Sequence, residues 1–490
     1  MARAKINRPV RHSRWKSAGS CGRDAGMLEF QECENKMRAA GLGDAAINAF
    51  KHACALHVSG ASAMMPEDTL DPVVDLPASS ALPANGDANL VARTVVIKLN
   101  GGLGTGMGLD KAKSLLPVKD GHTFLDLIAR QIIHQRQSSP GLRFLLMNSF
   151  STSGDTLASL AAHPDLGNPV DLEMLQNRVP KLAVDSARPV AWPANPSQEW
   201  CPPGHGDIYA ALLGSGWLDR LLGDGVIYAF ISNSDNLGAT LDPSLLHWFA
   251  ASGAPFLMEV TRRTEADKKG GHLAIRKTDS RLVLRESAQC PEQDEATFQD
   301  ITRHAYFNTN NLWLRLDCLK EALDAAGGLL PLPVMQNLKT VDPRDPSSPK
   351  VVQLETAMGA AIECFAGARA IAVPRTRFAP VKTTADLLVL RSDACVLTSD
   401  WRIELAGCRA GVPPLVDLDG AHYKMVDGLE AGFGTGAPSL AGCHRLTVRG
   451  PIQLPPAATI RGDVAITNTS TERIVLPARL YHDESLDFPN

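Results

Sequence analysis

The stretch that decides the fold is VVIKLNGGLGTGMGLDKAKSLLPV, which occupies residues 95–118. It begins with a short apolar run rich in β-branched residues, as in a buried strand of an α/β sheet. Five glycines follow within eight residues, and Lys111 and Lys113 come shortly after them. Glycine tolerates positive φ and lets backbone N–H groups approach an anion closely. The order of strand, glycine loop and lysine therefore indicates a site for a polyphosphate.

Two better-known phosphate motifs do not fit this stretch. A Walker loop needs glycine directly before Lys-Ser, but Ala112 precedes Lys113. A dinucleotide G-x-G-x-x-G motif fails because Met107 and Leu109 stand where its last glycine would be needed. These letters argue against an NAD-dependent oxidoreductase. A flexible surface turn remains the alternative interpretation of the glycines.

Apolar runs at residues 144–147, 172–175 and 226–231 alternate with helical patterns, and Thr123 can cap one of the helices. This alternation predicts a mostly parallel, doubly wound sheet. Ligands of such sheets bind beyond the carboxyl ends of the strands. The rule places the glycine loop, residues 148–149, Gln176 and residues 233–235 on one rim.

Composition restricts the class of protein. The chain has 490 residues, of which 44% are hydrophobic and 21% charged, as in ordinary soluble globular proteins. A net charge of −4 gives no reason to expect nucleic acid as a partner. No apolar stretch approaches the roughly 18 residues of a membrane span. The ten cysteines form no C-x-x-C pair, which favours free thiols and a cytoplasmic location.

The pattern divides the chain into four parts. Residues 1–28 are predicted to be a basic disordered extension, although a transit peptide and an upstream start codon stay open. Residues 29–90 are predicted to be a helical arm and linker, because they combine an amphipathic pattern with a stretch rich in Pro, Ala and Ser. Residues 91–391 form the predicted catalytic domain. Residues 392–490, with short apolar pieces and glycine turns, form a predicted C-terminal β domain.

Six collinear blocks resemble one known family, the UTP–glucose-1-phosphate uridylyltransferases, also called UDP-glucose pyrophosphorylases. The blocks are the glycine loop, PPGHGDIYAAL (202–212), SNSDNLGA (232–239), FNTNNLW (307–313), QLETAMGAA (353–361) and PRTRFAPVKTTADLL (374–388). The resemblance implies a Rossmann-like, doubly wound mixed sheet of the GT-A-like nucleotide-diphospho-sugar transferase class. It also implies a left-handed β-helix at the C-terminus, for which a β-sandwich fragment is the alternative.

The resemblance implies a reaction as well: a uridylyl group passes from UTP to glucose 1-phosphate, giving UDP-glucose and pyrophosphate. Lys113 and Lys382 are then the catalytic cations that contact phosphates, and Asp235 is the ligand of Mg²⁺, which prefers a carboxylate plus substrate oxygens. The sugar is then bound by the side-chain amides of Asn233 and Asn308 and by the carboxylate of Glu355. The nucleotide is bound by Leu99, Asn100, Gly101, Gly102, Gly104, Gln176, Gly204 and His205.

Each of these residues also has a structural interpretation. Asp235 can close an Asx turn, His205 can be a structural histidine, and Glu355 can be an acid in a first helical turn. The run beginning at Asn308 can be a polar turn, and Lys382 can belong to a solvated face. Gln176 matches a glutamine that contacts the edge of uracil in this family, and a side-chain amide can both donate and accept as uracil requires.

Two rival functions remain open at this point. One is a UDP-N-acetylhexosamine pyrophosphorylase, although such enzymes usually carry an arginine in the glycine loop, where this chain has Gly106 and Met107. The other is a non-catalytic nucleotide-sugar sensor, against which the presence of Lys113, Asp235 and Lys382 argues. A homo-oligomer formed through the C-terminal domain is a further expectation.

Overall fold

A mixed ten-stranded sheet lies at the centre of the structure, a computed structural model that describes residues 21–60, 63–84 and 86–489. Four neighbouring strands are parallel, in the order Glu173–Leu175, Arg143–Asn148, Thr94–Asn100 and Tyr228–Asn233. Antiparallel pairing then sets in at Tyr306–Arg315. The other strands of this sheet are Leu70–Pro72, Phe256–Arg262, His272–Arg276, Leu282–Arg285 and Arg369–Ala372.

The mostly parallel sheet predicted from the alternation of strands and helices is therefore correct for these four strands and for the parallel pair of Phe256–Arg262 with Arg369–Ala372. The mixed sheet implied by the family resemblance is confirmed. The difference arises because Tyr306–Arg315 pairs antiparallel on both sides, with Tyr228–Asn233 and with Phe256–Arg262. In the sequence, His272 and the alternation of Leu282 and Leu284 predict an antiparallel hairpin, and it is present as His272–Arg276 paired with Leu282–Arg285.

Both faces of the central sheet are buried. All seven residues of Thr94–Asn100 are buried, and its side chains alternate between two hydrophobic clusters. Val96 packs in one cluster, while Val95 and Ile97 pack in the other. A strand covered on both faces is expected to be apolar almost throughout. The doubly wound arrangement follows directly from this alternation.

The helices begin where local chemistry allows. Thr123 caps the helix Phe124–Ser138: its hydroxyl accepts from the Asp126 amide, and the Asp126 carboxylate accepts from the Thr123 amide. The α-helices are Cys21–Ala39, Asp44–Val58, Ala88–Ala92, Phe124–Ser138, Ser153–Leu160, Ile208–Gly214, Trp217–Gly223, Pro243–Ser252, Glu295–Phe298, Leu316–Ala325, Thr384–Arg391, Gly420–Tyr423 and Val426–Phe433.

The N-terminal arm is built into the catalytic domain. Phe50 of the helix Asp44–Val58 packs with Val334 and Leu354 of a small sheet formed by Val334–Thr340, Lys350–Thr356 and Leu182–Ala183. Leu70–Pro72 joins the central sheet beside His272–Arg276, before the expected domain boundary at residue 91. The helix Cys21–Ala39 already includes residues before the expected boundary at residue 29. Of the predicted disordered extension, residues 1–20 lie outside the described part of the chain.

The C-terminal part consists of stacked parallel strands. Leu415–Leu418, Ser439–Arg449, Thr459–Asn468 and Leu480–Phe488 pair in parallel in this order, and Ile452–Gln453 pairs in parallel with Ile474–Val475. The hairpin of Cys395–Leu397 and Ile403–Leu405 precedes them. Parallel pairing of successive strands is typical of a β-solenoid, in which the chain stacks turn upon turn. A β-sandwich, in contrast, consists of antiparallel sheets.

Two short two-stranded sheets complete the fold, Pro117–Lys119 with His122–Thr123 and Val179–Pro180 with Trp200–Cys201. Over the residues described, none of the helices combines the length and the apolar character that crossing a membrane requires. The cytoplasmic location expected from the sequence stays a prediction.

Candidate active site

The four parallel strands bring the predicted residues to one edge of the sheet. Leu99 pairs with Asn233 on one side, and Asn100 pairs with Asn148 on the other. Asn148 also marks the end of the adjacent pair with Leu175. The segments that leave these strand ends carry the glycine loop, Ser149, Gln176 and Asp235. The meeting of these segments on one rim, predicted from the strand pattern, is confirmed.

The glycine loop turns back on itself at the rim. Gly104 and Gly108 adopt left-handed φ of 66° and 80°, on either side of a short turn at Thr105–Met107. A Cβ on Gly104 would lie 2.8 Å from the end of the Leu109 side chain and 3.3 Å from Lys113, and L side chains rarely adopt this φ, so a larger residue there is strained. The amide of Lys113 donates to the carbonyl of Gly102 at 3.1 Å. The lysine is thereby tied to the loop that precedes it.

Asn100 makes structural hydrogen bonds within the rim. It is 2% exposed, and its amide donates to Asn148 Oδ1 at 2.7 Å and Thr156 Oγ1 at 3.0 Å. Its side-chain oxygen accepts from the Ser234 hydroxyl at 3.1 Å. The side chain therefore joins three segments of the rim to one another. Direct contacts of Asn100 and of the buried Leu99 with a nucleotide stay predictions.

Lys113 and Asp235, which are far apart in the sequence, form an ion pair at the centre of the rim. Lys113 Nζ lies 2.6 Å from Asp235 Oδ2, and the two side chains are 16% and 21% exposed. The backbone carbonyl of Asp235 accepts from the amide of Val381 at 3.3 Å. This bond brings the backbone next to Lys382 close to Asp235. The structure thus brings together the segments that carry the three charged residues singled out in the sequence.

Only one of the three cations in the PRTRFAPVK loop is left for an anion. Arg375 makes a two-bond ion pair with Asp267, at 2.7 and 3.0 Å. Arg377 is paired in the same way with the buried Glu259, at 2.7 and 2.8 Å. Lys382 is exposed, with its ammonium 5.8 Å from the centre of the Phe378 ring. Within residues 21–60, 63–84 and 86–489, no ion pair of Lys382 is present.

Gln176 and the PPGHGD loop form a second group at the rim. Gln176 Nε2 donates to the carbonyl of Gly204 at 2.7 Å, and its Oε1 lies against Gly101, where a Cβ would be 2.7 Å away. Asp207 accepts from the Asn177 backbone amide at 2.7 Å and from its side chain at 3.0 Å. Burial raises the pKa of Asp207 to about 7. Residues 176–177 are therefore hydrogen-bonded to the PPGHGD loop both at Gly204 and at Asp207.

His205 is held as a neutral ring. Its Nδ1 accepts from the backbone amide of Met358 at 2.9 Å, which leaves the proton of the neutral ring on Nε2. Burial lowers the pKa of His205 to about 4. A neutral ring with Nε2–H can donate to an oxygen, and it is not a base near neutral pH.

The PPGHGD loop needs glycine because a strand end lies directly against it. A Cβ on Gly204 would lie 2.4 Å from the carbonyl oxygen of Thr356, and one on Gly206 would lie 2.4 Å from its hydroxyl. Thr356 ends the strand Lys350–Thr356, and Glu355 precedes it. The close approach therefore sets the predicted sugar carboxylate next to the predicted nucleotide loop.

The predicted sugar residues lie near this contact. Asn308 is buried in the strand Tyr306–Arg315, so the alternative of a polar turn is wrong for it. Its side chain bonds the side chain and the amide of Asn310, each at 2.9 Å. Asn308 Nδ2 also packs on Gly359, just beyond Glu355 in the chain. Asn233 is partly exposed at the end of its strand. The sugar contacts of Asn233, Asn308 and Glu355 stay predictions.

One carboxylate at the rim was not predicted from the sequence. Glu286 packs on Gly271, where a Cβ would lie 2.5 Å from Glu286 Oε2. Burial raises the pKa of Glu286, and the charge of Lys382 opposes that rise. A sequence signal existed: Glu286 directly follows the apolar strand Leu282–Arg285. An acid leaving a strand end is the feature that identified Asp235.

The donor set fits a magnesium ion that the substrate helps to bind. The described residues contain no cluster of three or more His, Cys, Asp or Glu side chains that could hold a metal ion. Mg²⁺, however, is usually bound through one or two carboxylates together with phosphate oxygens of the substrate. Asp235 supplies such a carboxylate, beside a loop suited to phosphates.

Comparison with known proteins gives consistent matches. A protein-family model described as UTP–glucose-1-phosphate uridylyltransferase matches residues 44–461. The UTP–glucose-1-phosphate uridylyltransferase of Saccharomyces cerevisiae is 39% identical over 410 residues, which cover 83% of this chain and 80% of that protein. The enzyme of the same name from Solanum tuberosum is 36% identical over 418 residues, which cover 84% and 83%.

Solved structures agree. A mutant UDP-glucose pyrophosphorylase of Leishmania major in complex with UDP-glucose is 50% identical and has a TM-score of 0.88, covering 94% of this chain and 99% of that one. A UDP-glucose phosphorylase of Trypanosoma brucei is also 50% identical, with a TM-score of 0.87 and the same coverage.

Proposed function

Since the chain belongs to the UTP–glucose-1-phosphate uridylyltransferase family, we propose that the rim described above is where it joins UTP to glucose 1-phosphate. The products are UDP-glucose and pyrophosphate. The observation that carries the proposal is the convergence of Lys113, Asp235 and the backbone beside Lys382 on the loop that follows the central strand. These are the charged groups that a reaction between two phosphate compounds requires.

The reaction needs charge stabilisation more than proton transfer. A phosphate oxygen of glucose 1-phosphate attacks the α-phosphorus of UTP in line, the bond from that phosphorus to the bridging oxygen breaks, and pyrophosphate leaves. The nucleophile is already an anion, so no general base is needed, which agrees with the low pKa of His205. Such transfers are catalysed chiefly by positioning and electrostatics.

The charged residues divide this work. The N–H groups of the glycine loop and the ammonium of Lys113 bind the triphosphate, and Lys382 neutralises the incoming sugar phosphate. Mg²⁺, when bound at Asp235, supplies positive charge that lowers the repulsion between the phosphates. In the free enzyme the ion pair of Lys113 and Asp235 keeps both groups in place before either meets its ligand.

A second set of groups gives specificity for uridine and glucose. Gln176, Gly204 and His205 bind the uridine part, next to the triphosphate held by the backbone of Gly101, Gly102 and Gly104. Asn233, Asn308 and Glu355 bind the glucose hydroxyls. Support for this assignment comes from the contact of Gly204 with Thr356, which joins the two groups of residues. Neutral amides suit hydroxyls because they both donate and accept.

We also propose the finer fold class and the domain division. The catalytic domain is a GT-A-like nucleotidyltransferase domain at residues 91–391, and residues 392–490 form a left-handed β-helix. The parallel pairing of Thr459–Asn468 with strands on both sides supports a helical coil. Leu480–Phe488 pairs on one side only and exposes Leu480, so this edge is the proposed contact of a homo-oligomer.

Pyrophosphate release tests the function. Purified protein is assayed with UTP, Mg²⁺ and a panel of sugar 1-phosphates, beside Lys382→Ala and the control Lys350→Ala, which removes an exposed lysine away from the rim. Release with glucose 1-phosphate that is lost in Lys382→Ala and kept in Lys350→Ala supports the proposal. Release with N-acetylglucosamine 1-phosphate alone indicates the related hexosamine enzymes. UTP binding without release from any sugar indicates a sensor.

A further inference from the structure

A lysine lies inside the central strand of the sheet, where a cation is costly to bury. Lys98 is 2% exposed, in a strand whose seven residues are all buried. Its ammonium donates to Ser232 Oγ at 2.8 Å and to the carbonyl of Ala239 at 2.6 Å. Both acceptors are uncharged. Burial and the nearby Arg377 lower the pKa of Lys98 to about 7, which shows how strongly the site disfavours the charge.

The two acceptors stand at the two ends of one loop. Ser232 lies on the adjacent strand, directly opposite Lys98 in the parallel register. Ala239 comes seven residues later, after the chain has passed over the rim. Asn233 and Asp235 lie between them. A single side chain beneath the rim therefore closes the loop that carries the proposed metal carboxylate.

A buried ion pair supports the same loop from the other side. Glu259 receives two bonds from Arg377, one from Asn311 at 3.0 Å and one from Trp313 at 2.9 Å, so its carboxylate is fully engaged. Arg377 also donates to the carbonyl of Thr240 at 3.0 Å, next to the carbonyl that Lys98 holds. The end of the loop is thus held by two cations at once.

The segment that follows Arg377 connects the loop to Lys382 through hydrogen bonds of its backbone. The side chain of Asn236 donates to the carbonyl of Arg377 at 3.0 Å and accepts from the amide of Ala379 at 3.1 Å. Val381 donates to the carbonyl of Asp235. A shift of the loop would therefore also move Lys382.

We propose that Lys98 is a positioning residue, which holds the loop of residues 232–239 by both ends and so sets Asp235 at the distance from Lys113 that the reaction requires. This inference rests on the proposed function for the identity of the reaction. Lys98 itself touches no reacting group. It acts through Ser232 and Ala239, and its removal leaves Asp235 and Lys113 chemically intact but free to separate.

The alternative is that Lys98 serves the stability of the sheet alone. A methionine at this position would fill nearly the same space without the cost of a buried cation, and replacing buried charges with apolar groups is often neutral or stabilising. If stability were the whole role, Lys98→Met would keep the activity of the wild type. Loss of function without loss of stability separates the two roles.

A matched control exists in the same chain. Lys119 is 8% exposed, and its ammonium donates to the carbonyls of Ser392 at 2.6 Å and Cys395 at 2.8 Å. It is thus a second buried lysine that joins two points of the chain. Both of its acceptors lie at the start of the C-terminal part, not in the Asp235 loop. Lys119→Met removes the same chemistry without touching the proposed positioning contacts.

The test compares Lys98→Met and Lys119→Met in the full-length chain. We measure kcat, the KM for UTP, the melting temperature, and the affinity for Mn²⁺ by electron paramagnetic resonance with UTP present. For Lys98→Met we expect kcat to fall about 10–100-fold and Mn²⁺ to bind about tenfold more weakly, as for other residues that orient a metal ligand. The KM for UTP should stay within about threefold of the wild type. Lys119→Met should keep both kcat and Mn²⁺ affinity.

Two results overturn the proposal: wild-type kcat and Mn²⁺ affinity in Lys98→Met, or equal losses in Lys119→Met. Where Lys98→Met does not fold, Ser232→Ala decides. It removes one of the two acceptors and should weaken both kcat and Mn²⁺ binding, and unchanged values refute the positioning role. A wild-type protein that releases no pyrophosphate refutes the proposed function, while the Mn²⁺ measurement still reports on Lys98.

Discussion

A single methyl group on Gly204 should separate the nucleotide loop from the sugar side of the site. Gly204 has φ 81° and ψ 172°, a region that essentially only glycine occupies, so alanine costs about 1–3 kcal/mol of backbone strain. Its Cβ would also lie 2.4 Å from the Thr356 carbonyl oxygen. The loop must shift by at least about 0.6 Å to reach 3.0 Å, below which real Cβ contacts are essentially never seen.

The displacement should reduce activity, because Gly204 also accepts the bond from Gln176. A misplacement of about 1 Å at an active site can cost about 100-fold, so we expect kcat/KM for UTP to fall about 10–100-fold. The control is Gly434→Ala. Gly434 has nearly the same backbone, with φ 73° and ψ −167°, but a Cβ there meets only Pro456, at 4.0 Å.

The two variants are compared by pyrophosphate release and by urea unfolding. Both should lose about 1–3 kcal/mol of unfolding free energy from strain, and Gly204→Ala should lose somewhat more. Only Gly204→Ala should lose activity. The reasoning is refuted if Gly204→Ala keeps kcat/KM within about threefold of the wild type, or if Gly434→Ala loses as much activity.

Three further predictions follow from the site and the core. Asp235→Asn should lower kcat about 100–1000-fold and abolish Mn²⁺ binding with UTP present, and retained Mn²⁺ binding would place the metal elsewhere. Chelation by EDTA should stop pyrophosphate release without changing the circular dichroism spectrum, and Mg²⁺ should restore it; activity that survives chelation contradicts a metal role. Burial lowers the pKa of His272 to about 2, so the folded ring stays neutral while the unfolded ring takes up a proton below about pH 6.5. Stability should therefore fall between pH 7 and 5, and in His272→Phe the fall measured by urea unfolding should be about 2 kcal/mol smaller; an equal fall in both proteins contradicts the assignment.

Much of the local structure could be predicted because it depends on neighbours in the chain. The strand after residue 93, the glycine loop and the helix capped by Thr123 are all where their residues indicate, since caps, turns and apolar runs act over a few positions. The rim was also predictable, because the carboxyl ends of parallel strands meet at one edge. The two antiparallel partners of Tyr306–Arg315 were not predictable, because pairing between segments far apart in the chain leaves no local signal.

Two of the site's charges show where sequence reasoning stopped. By residue type alone the loop around Arg375 offers three cations, and only the family resemblance singled out Lys382. The structure shows that Asp267 and Glu259 pair with the other two. Lys98 was visible as a lysine inside an apolar strand, but its use depends on Ser232 and Ala239. In both cases the deciding partner is more than a hundred residues away.

The sequence by itself determined that the strand ends meet on one rim, where the glycine loop lies, which family the chain belongs to, and which residues carry charge. Their chemistry is local, and the collinear blocks that identify the family are read directly from the letters. Only the tertiary structure decided which charges remain free, that Lys113 pairs with Asp235, and that the PPGHGD loop lies against Thr356. Those outcomes depend on burial and on distances of a few ångströms between segments far apart in the chain, and folding alone sets both.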